Sequence, residues 1–196
     1  MLVLLHGRGA GPSQFTSDPF FAELARLGNR APIVVLLKSA NHSYWHDRRD
    51  GAYATRALRQ IATARQRYAA TRVAIGGISM GGYGALHLAS LAPSFYCAAG
   101  GHSAAVWRSA GATAPGAFDD ADDYARNDVF RRAAALRRLP VWLDNGTDDP
   151  FRDADAALAR RLGITQRVWP GGHTQSYWDR HMPQYLRWYA SKCASA

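Results

Sequence analysis

The stretch Gly76-Gly77-Ile78-Ser79-Met80-Gly81-Gly82 constrains what this chain can fold into more than any other. It contains a G-x-S-x-G pattern and follows a short apolar run, Arg72-Val73-Ala74-Ile75. A helix-like segment comes next, Gly82-Tyr83-Gly84-Ala85-Leu86-His87-Leu88-Ala89. Strand, tight turn and helix are the setting in which a serine hydroxyl is lifted above a sheet edge as a nucleophile elbow. Glycines on both sides let the strand and helix backbones approach closely. A bare G-x-S-x-G is weak evidence, because Gly and Ser are common in loops. Here Gly76, Gly77, Gly81, Gly82 and Gly84 surround one serine. That density points to a built turn rather than a plain Gly-rich loop.

A serine is a poor nucleophile alone and needs a base, an orienting acid and an oxyanion hole. On a strand–elbow–helix scaffold the chain order is serine, acid, histidine. Downstream of Ser79 the apolar run Pro140-Val141-Trp142-Leu143 leads into Asp144-Asn145-Gly146-Thr147-Asp148-Asp149-Pro150. An acid just past a strand's carboxyl end sits where such sheets bind ligands. Three aspartates compete: Asp144 at the strand end, Asp148 as a cap for a helix starting near Phe151, and Asp149 deepest in the loop. After the next strand-like piece, Thr165–Trp169, comes Pro170-Gly171-Gly172-His173-Thr174. Of the seven histidines, His6, His42 and His46 precede the serine, and His87 lies in the helix after the elbow. His102 ends a strand before the acid, and His181 falls inside the last helix. His173 has both the right order and the right loop for a general base. The oxyanion donors expected are the N–H of Met80, directly after the nucleophile, and the N–H of Arg8. Arg8 lies in the Gly-rich loop that follows the strand Leu2-Val3-Leu4-Leu5-His6.

Taken together these segments resemble the putative-esterase branch of the α/β-hydrolases. That group includes esterase D (S-formylglutathione hydrolase), feruloyl and acetylxylan esterases, and the mycolyltransferases. The matching residues are Leu4-Leu5-His6-Gly7, Tyr44-Trp45-His46-Asp47-Arg48, Gly77-Ile78-Ser79-Met80-Gly81-Gly82, Asn145-Gly146-Thr147-Asp148-Asp149, and Gly171-Gly172-His173 with Ser176-Tyr177-Trp178. The resemblance spans almost the whole chain. It implies an α/β-hydrolase fold and, by the G-x-x-D turn counted from Gly146, Asp149 as the acid. It likewise matches His173 to the base and Arg8 and Met80 to the oxyanion donors. The chain departs from the group at the front, where members usually carry one or two more strands before the His-Gly strand.

The coarse layout alternates strand and helix. Strands are expected near 2–6, 33–37, 72–78, 95–101, 140–145 and 165–169, and helices near 17–27, 50–69, 80–91, 152–162 and 175–191. Asp18-Pro19 reads as a helix start and Gly28 as its end. Such alternation predicts a mostly parallel sheet covered on both faces. The 196 residues suffice for one α/β-hydrolase domain, 1–196, with an inserted lid or substrate loop around 102–135. No apolar run approaches the ~20 residues of a membrane span. Met1–Leu5 is too short for a signal-peptide core, which places the chain in the cytoplasm by default. Cys97 and Cys193 lack metal-ligand spacing and read as a buried strand thiol and a tail cysteine.

The charge is +9, and 22 of the 24 basic residues are arginines. The arginine pairs are scattered rather than clustered with aromatics, which argues against a nucleic-acid surface. They can still steer anionic substrates. Tyr44, Trp45, Trp107, Tyr177 and Trp178 fall in or near loops expected around the serine. They are candidates to stack on a sugar or phenolic ring or to line an acyl pocket. Tyr177 and Trp178 are equally placed to pack the last helix on the sheet. The reading is a serine carboxylic-ester hydrolase for short-acyl or accessible carbohydrate or aryl esters, needing no metal or cofactor. The resemblance leaves two alternatives with the same triad, a mycolyltransferase-type acyltransferase and an S-formylglutathione-type thioesterase. A fold kept only for binding is disfavoured, because nucleophile, acid candidates and base are all present.

Overall fold

In the strand β1 (Leu2–Leu5) every residue is apolar and buried. Side chains alternate between the two faces of a strand, so a strand with no polar position must be covered on both. The computed structural model, which describes residues 1–194, has that arrangement. After β1 come α1 (Asp18–Leu27), β2 (Val34–Leu37), a small hairpin of β3 (Asp47–Arg48) and β4 (Gly51–Ala52), and α2 (Tyr53–Arg67). Then follow β5 (Val73–Ile78), α3 (Met80–Leu91), β6 (Tyr96–His102), α4 (Ala121–Asn127) and α5 (Ala133–Leu136). β7 (Val141–Gly146), α6 (Arg152–Leu162), β8 (Arg167–Trp169) and α7 (Gln175–Lys192) complete the chain.

Six strands form one sheet in the order β2-β1-β5-β6-β7-β8, and every pairing is parallel. This is the α/β-hydrolase fold. Leu2 and Leu4 join Ala74, Ile78, Ala98 and Trp142 in a core closed by α1 and α7. Val3 and Leu5 join Ile75, Ala99 and Leu143 in the opposite core, closed by α2, α3, α5 and α6. A fully buried Leu or Ile contributes about 1.5–3 kcal/mol. In α3 every residue from Met80 to Ser90 is buried. A helix that is apolar all round belongs inside, and here it packs on the centre of the sheet.

The expected elements are present, with ends shifted by a few residues. The largest shift is at the second long helix, expected from residue 50 and beginning at Tyr53. Residues 47–52 form the β3–β4 hairpin instead. The stretch between β6 and β7 carries two short helices, α4 and α5, that its Ala/Gly/Asp composition did not signal. Asp120 caps α4 by accepting from the Asp123 N–H at 2.8 Å. Among the described residues no helix is long and apolar enough to cross a membrane.

The cysteine reading needs correction. Cys97 and Cys193 form a disulfide, with Cα atoms 5.5 Å apart. Cys97 stands at the start of β6, and the 18-residue α7 ends beside it. Their sequence separation of 96 hides a contact that only the course of α7 creates. Such a bond persists in an oxidising environment.

His87 makes stability depend on pH. Its ring is buried in α3, parallel to that of Tyr83, and its Nδ1 has no partner among the described residues. Burial, followed by the charges of His46 and Arg132, holds its pKa at about 3, against 6.5 for a free histidine. Between those values the unfolded chain binds a proton that the folded chain refuses, so stability falls as pH drops through that window. His87→Phe keeps the stacked ring and removes the titration. Denaturant melts between pH 7 and pH 4 should show a shallower loss for the variant. The difference should be up to about 1.4 kcal/mol per pH unit. Parallel curves for the two proteins would contradict this account.

Candidate active site

Because all six strands are parallel, their carboxyl ends gather on one side, and four loops meet there. Arg8 follows β1, Ser79 follows β5, Asp149 follows β7 and His173 follows β8. From β1 the sheet grows outward through β2, and from β5 it grows the other way. The gap between these directions is the switch point at which open α/β sheets bind ligands.

Ser79 is the N-cap of α3 and takes φ 57°, ψ −117°. A non-glycine residue there costs about 1–3 kcal/mol and is held only by its surroundings. The Ser79 N–H donates to the His102 carbonyl at 3.0 Å, and its own carbonyl accepts from Tyr83 and Ala105. Glycine is obligatory on either side. A Cβ at Gly77 would run into the Gly81 carbonyl, and one at Gly81 into the Leu5 carbonyl. The elbow is thereby pressed against the end of β1, next to the loop that carries Arg8.

The Ser79 Oγ lies 2.9 Å from His173 Nε2, and His173 Nδ1 lies 3.1 Å from Asp149 Oδ2. The carboxylate is fully buried, whereas the imidazole is 24% exposed. With Nδ1–H donating to Asp149, Nε2 is left to accept from the hydroxyl. Burial pushes the Asp149 carboxyl up. His173, the Ser103 hydroxyl and the Phe151 N–H outweigh it, and the group stays below the ordinary carboxylate value. The loops of acid and base are stitched together by backbone. Thr147 N–H donates to the Trp169 carbonyl and Asp148 N–H to the Gly171 carbonyl, both at 2.9 Å.

The other two aspartates have different surroundings. Asp148 is exposed and does not cap α6, whose N-cap residue is Phe151 and which has no side-chain cap, while Asp149 Oδ1 accepts from the Phe151 N–H at 2.8 Å. Asp144 is wholly buried on β7 and accepts four hydrogen bonds. His102 Nδ1 and Trp142 Nε1 reach its Oδ1 at 2.7 and 2.6 Å, and the Tyr177 and Tyr185 hydroxyls reach its Oδ2 at 3.0 and 2.6 Å.

Accounting for backbone donors singles out Arg8. In the loop after β1, Gly7 N–H goes to Gln14 Oε1, Gly9 N–H to the Asn41 carbonyl and Ala10 N–H to the Gly7 carbonyl. Among the described residues the Arg8 N–H has no acceptor. The Met80 N–H is the first of α3, where the helix offers none. His6, excluded as a base by its place in the chain, braces this loop. Its Nε2 accepts from the Ser39 N–H, so its Nδ1–H faces the Gly7 carbonyl.

Of the aromatics proposed for substrate contact, Trp107 is partly open. Tyr44, Trp45, Tyr177 and Trp178 are buried, which leaves their rings little face for stacking on a substrate. Trp45 fills the space beside Gly84 and donates to the His6 carbonyl at 3.2 Å. Tyr44 packs against Trp107 and Phe118. Tyr177 bonds to Asp144, and Trp178 stands edge-on to His173 with ring centres 5.0 Å apart. Phe151, not singled out in the sequence, lies 5.2 Å from the His173 ring and 5.6 Å from Trp107. It had no motif to betray it.

A hydroxyl paired with an imidazole that is itself paired with a carboxylate can lose its proton while attacking an acyl carbon. Two unpartnered N–H groups, one at a helix N-terminus, suit a developing oxyanion. The two buried aspartates should separate on substitution. Asp144→Ala strands four donors and should cost about 3–5 kcal/mol in urea denaturation. Asp149→Ala, beside a partly open imidazole, should cost far less. Equal losses would show that both serve the fold alike.

Residues 34–189 match a family described as "Putative esterase". No curated protein matches the chain by sequence. Solved structures share its fold at low identity. A ferulic acid esterase is 22% identical with a TM-score of 0.75, over 97% of this chain and 84% of that one. An S-formylglutathione hydrolase from Agrobacterium tumefaciens is 18% identical with a TM-score of 0.76, over 98% and 84%. MPT51 (FbpC1) from Mycobacterium tuberculosis is 18% identical with a TM-score of 0.73, over 98% and 90%.

Proposed function

The chain belongs to the Putative esterase family, and on that premise we propose that it is a serine carboxylic-ester hydrolase working through an acyl-enzyme. The observation that carries the reading is the unbroken line Ser79–His173–Asp149 at the carboxyl ends of the strands. Ser79 Oγ attacks the ester carbonyl as its proton passes to His173 Nε2. Asp149 keeps Nδ1 protonated and stabilises the imidazolium. The N–H groups of Arg8 and Met80 receive the oxyanion. His173 returns the proton to the departing alcohol. Water then enters, gives a proton to His173 and attacks the acyl carbon, and the acid is released as Ser79 recovers its proton.

The substrate class proposed is short-acyl esters or accessible aryl and carbohydrate esters, with no nucleic-acid partner. We read residues 1–196 as one α/β-hydrolase domain whose 102–135 insertion supplies the substrate loops. That insertion is strapped to the β3–β4 region. Arg48 Nε and Nη2 reach Asp119 Oδ1 at 3.1 and 3.0 Å, and Arg49 pairs with Asp120. The buried His46 meets Asp123 at 3.0 Å. Trp107 and Phe151, both partly exposed, form a short apolar wall by His173. A wall of this size suits an aryl ring or a few methylenes.

Ser79→Ala removes one hydroxyl from an elbow that accepts a small side chain. Turnover of p-nitrophenyl acetate should fall on the order of a million-fold, with an unchanged melting profile. Near-normal hydrolysis by the pure variant would end the serine reading. Across p-nitrophenyl esters from acetate to palmitate, kcat/KM should be greatest for short chains. Each buried methylene is worth about 0.8 kcal/mol, and beyond the apolar wall further ones find nothing to bury against. A maximum at about twelve carbons or more would point to a deep tunnel and a lipase-like enzyme. Including S-formylglutathione and a sugar acceptor in the panel separates thioester hydrolysis and acyl transfer from ester hydrolysis.

A further inference from the structure

Arg8 brings more to the candidate site than its backbone N–H. The loop that carries it is tied on both sides of the residue. Gly7 N–H donates to Gln14 Oε1 at 2.8 Å, and Gly9 N–H to the Asn41 carbonyl at 3.1 Å. A Cβ on Gly7 would lie 3.4 Å from the Ser79 Cβ, so the loop rests directly against the elbow. The Arg8 side chain is exposed, and its Nη1 donates to the Pro115 carbonyl of the insertion at 3.3 Å. Pro115 stands just before Phe118, whose ring centre is 6.0 Å from that of Trp107. Trp107 in turn meets Phe151, which lies beside His173. The guanidinium is thereby placed at one end of the aromatic line whose other end is the imidazole.

The charge of Arg8 is uncompensated. Among the described residues no carboxylate pairs with it, and the Pro115 carbonyl takes up none of its charge. Arg48 and Arg152, on neighbouring loops, are already engaged. Arg48 binds Asp119 and the carbonyls of His42 and Gly116. Arg152 binds the Thr147 carbonyl and lies 3.4 Å from Asp153. A guanidinium is a planar fork that takes a carboxylate by two parallel N–H bonds, each strengthened by the charges on both partners. A neutral sugar or alkyl chain gains little from such a group. An ester whose carbonyl oxygen lies at the Arg8 N–H has its substituents within one arginine side chain of this cation.

We infer that the Arg8 guanidinium anchors a carboxylate carried by the substrate, so that the esters this chain is built to cleave are anionic. The inference rests on the serine-hydrolase reading and narrows its substrate class. Arg8 then serves one molecule twice, its N–H receiving the oxyanion and its side chain fixing the charged end. The net charge of +9 favours the approach of the same anions.

The test compares kcat/KM for matched anionic and neutral esters in the wild type and in variants, with melting profiles alongside. Mono-p-nitrophenyl adipate against p-nitrophenyl hexanoate places the carboxylate on the acyl side. 4-Acetoxybenzoate against its methyl ester places it on the alcohol side. Each protein is read by its own anionic-to-neutral ratio, so a loss common to both esters cancels. Arg8→Gln keeps the backbone N–H and removes the charge. Its ratio should fall about tenfold in one arm, the effect of one charge-assisted contact, and that arm identifies the side that bears the carboxylate. Arg8→Lys keeps the charge without the fork and should lose less. About 1 M salt, which confines exposed charges to a range of ~3 Å, should lower the wild-type ratio and leave that of Arg8→Gln unchanged. Ser79→Ala in the same assay reads the underlying mechanism. If it turns the esters over, or the wild type does not, the serine reading fails and the anchor with it. If Ser79→Ala is inactive while Arg8→Gln shifts both ratios by less than about threefold, the anchor alone fails. Should Arg8→Gln not fold, Arg8→Lys and the salt dependence decide by the same ratios.

Discussion

A single buried carboxylate, Asp144, governs how the last third of the chain assembles. It lies on β7 with no exposure and is met by donors from three elements: His102 of β6, Trp142 of β7, and Tyr177 and Tyr185 of α7. His102 extends the set through Nε2 to the Tyr189 hydroxyl at 3.0 Å. Burying such a group is unfavourable unless every lone pair is met, and fully met networks rigidify what they connect. Three tyrosines on one side of α7 thereby pin that helix across the sheet. Burial, and then the Asp144 charge, pushes the Tyr185 and Tyr189 hydroxyls well above the ordinary phenol range, so they remain donors. The seat of α7 fixes Trp178, and the loop before α7 carries His173.

The other constraint is the approach of two backbones at the elbow. Ser79 is held in a conformation it would not choose, because Gly77 and Gly81 let α3 and β5 close upon the end of β1. The strain is sustained by the packing of a helix that is buried from Met80 to Ser90. It aims one hydroxyl at the mouth of the sheet and leaves the first N–H of α3 without a partner among the described residues. The candidate nucleophile and one proposed oxyanion donor thus come from the same turn, and the second proposed donor, Arg8, from the loop that follows the strand the turn presses against. The insertion is tied to the β3–β4 hairpin by the Arg48–Asp119 pair. The Arg49 N–H, with help from the Arg48 guanidinium, keeps the Asp119 carboxyl below the usual carboxylate range.

Much of this was legible in the chain. Alternating apolar runs and glycine turns carried the parallel sheet, because strand and helix periods and close-approach glycines are local properties. The elbow, the Gly-Gly-His loop and the three aspartates were legible for the same reason. What misled was any residue whose meaning depended on distance in space. Tyr44 and Trp45 read as loop aromatics free to stack on a ligand, yet they are packed inward, and of the two readings open for Tyr177 and Trp178 the packed one holds. Ser103 and Phe151 carried no motif at all. Cys97 and Cys193 read as unpaired because nothing in a separation of 96 residues says where α7 ends.

The sequence by itself determined the fold class and the candidate nucleophile, base and short list of acids, since each rests on spacing within one turn or one loop. Spacing left three aspartates open and the resemblance pointed to Asp149; the tertiary structure shows why it is the one that faces the imidazole. Asp144 points inward from a strand, and Asp149 sits in a loop stitched to the histidine's loop by backbone hydrogen bonds. The choice turns on which way a side chain points from a strand end, and on a contact between loops 24 residues apart. Chain spacing carries neither, because both follow from how β7 and β8 lie side by side once the sheet has formed.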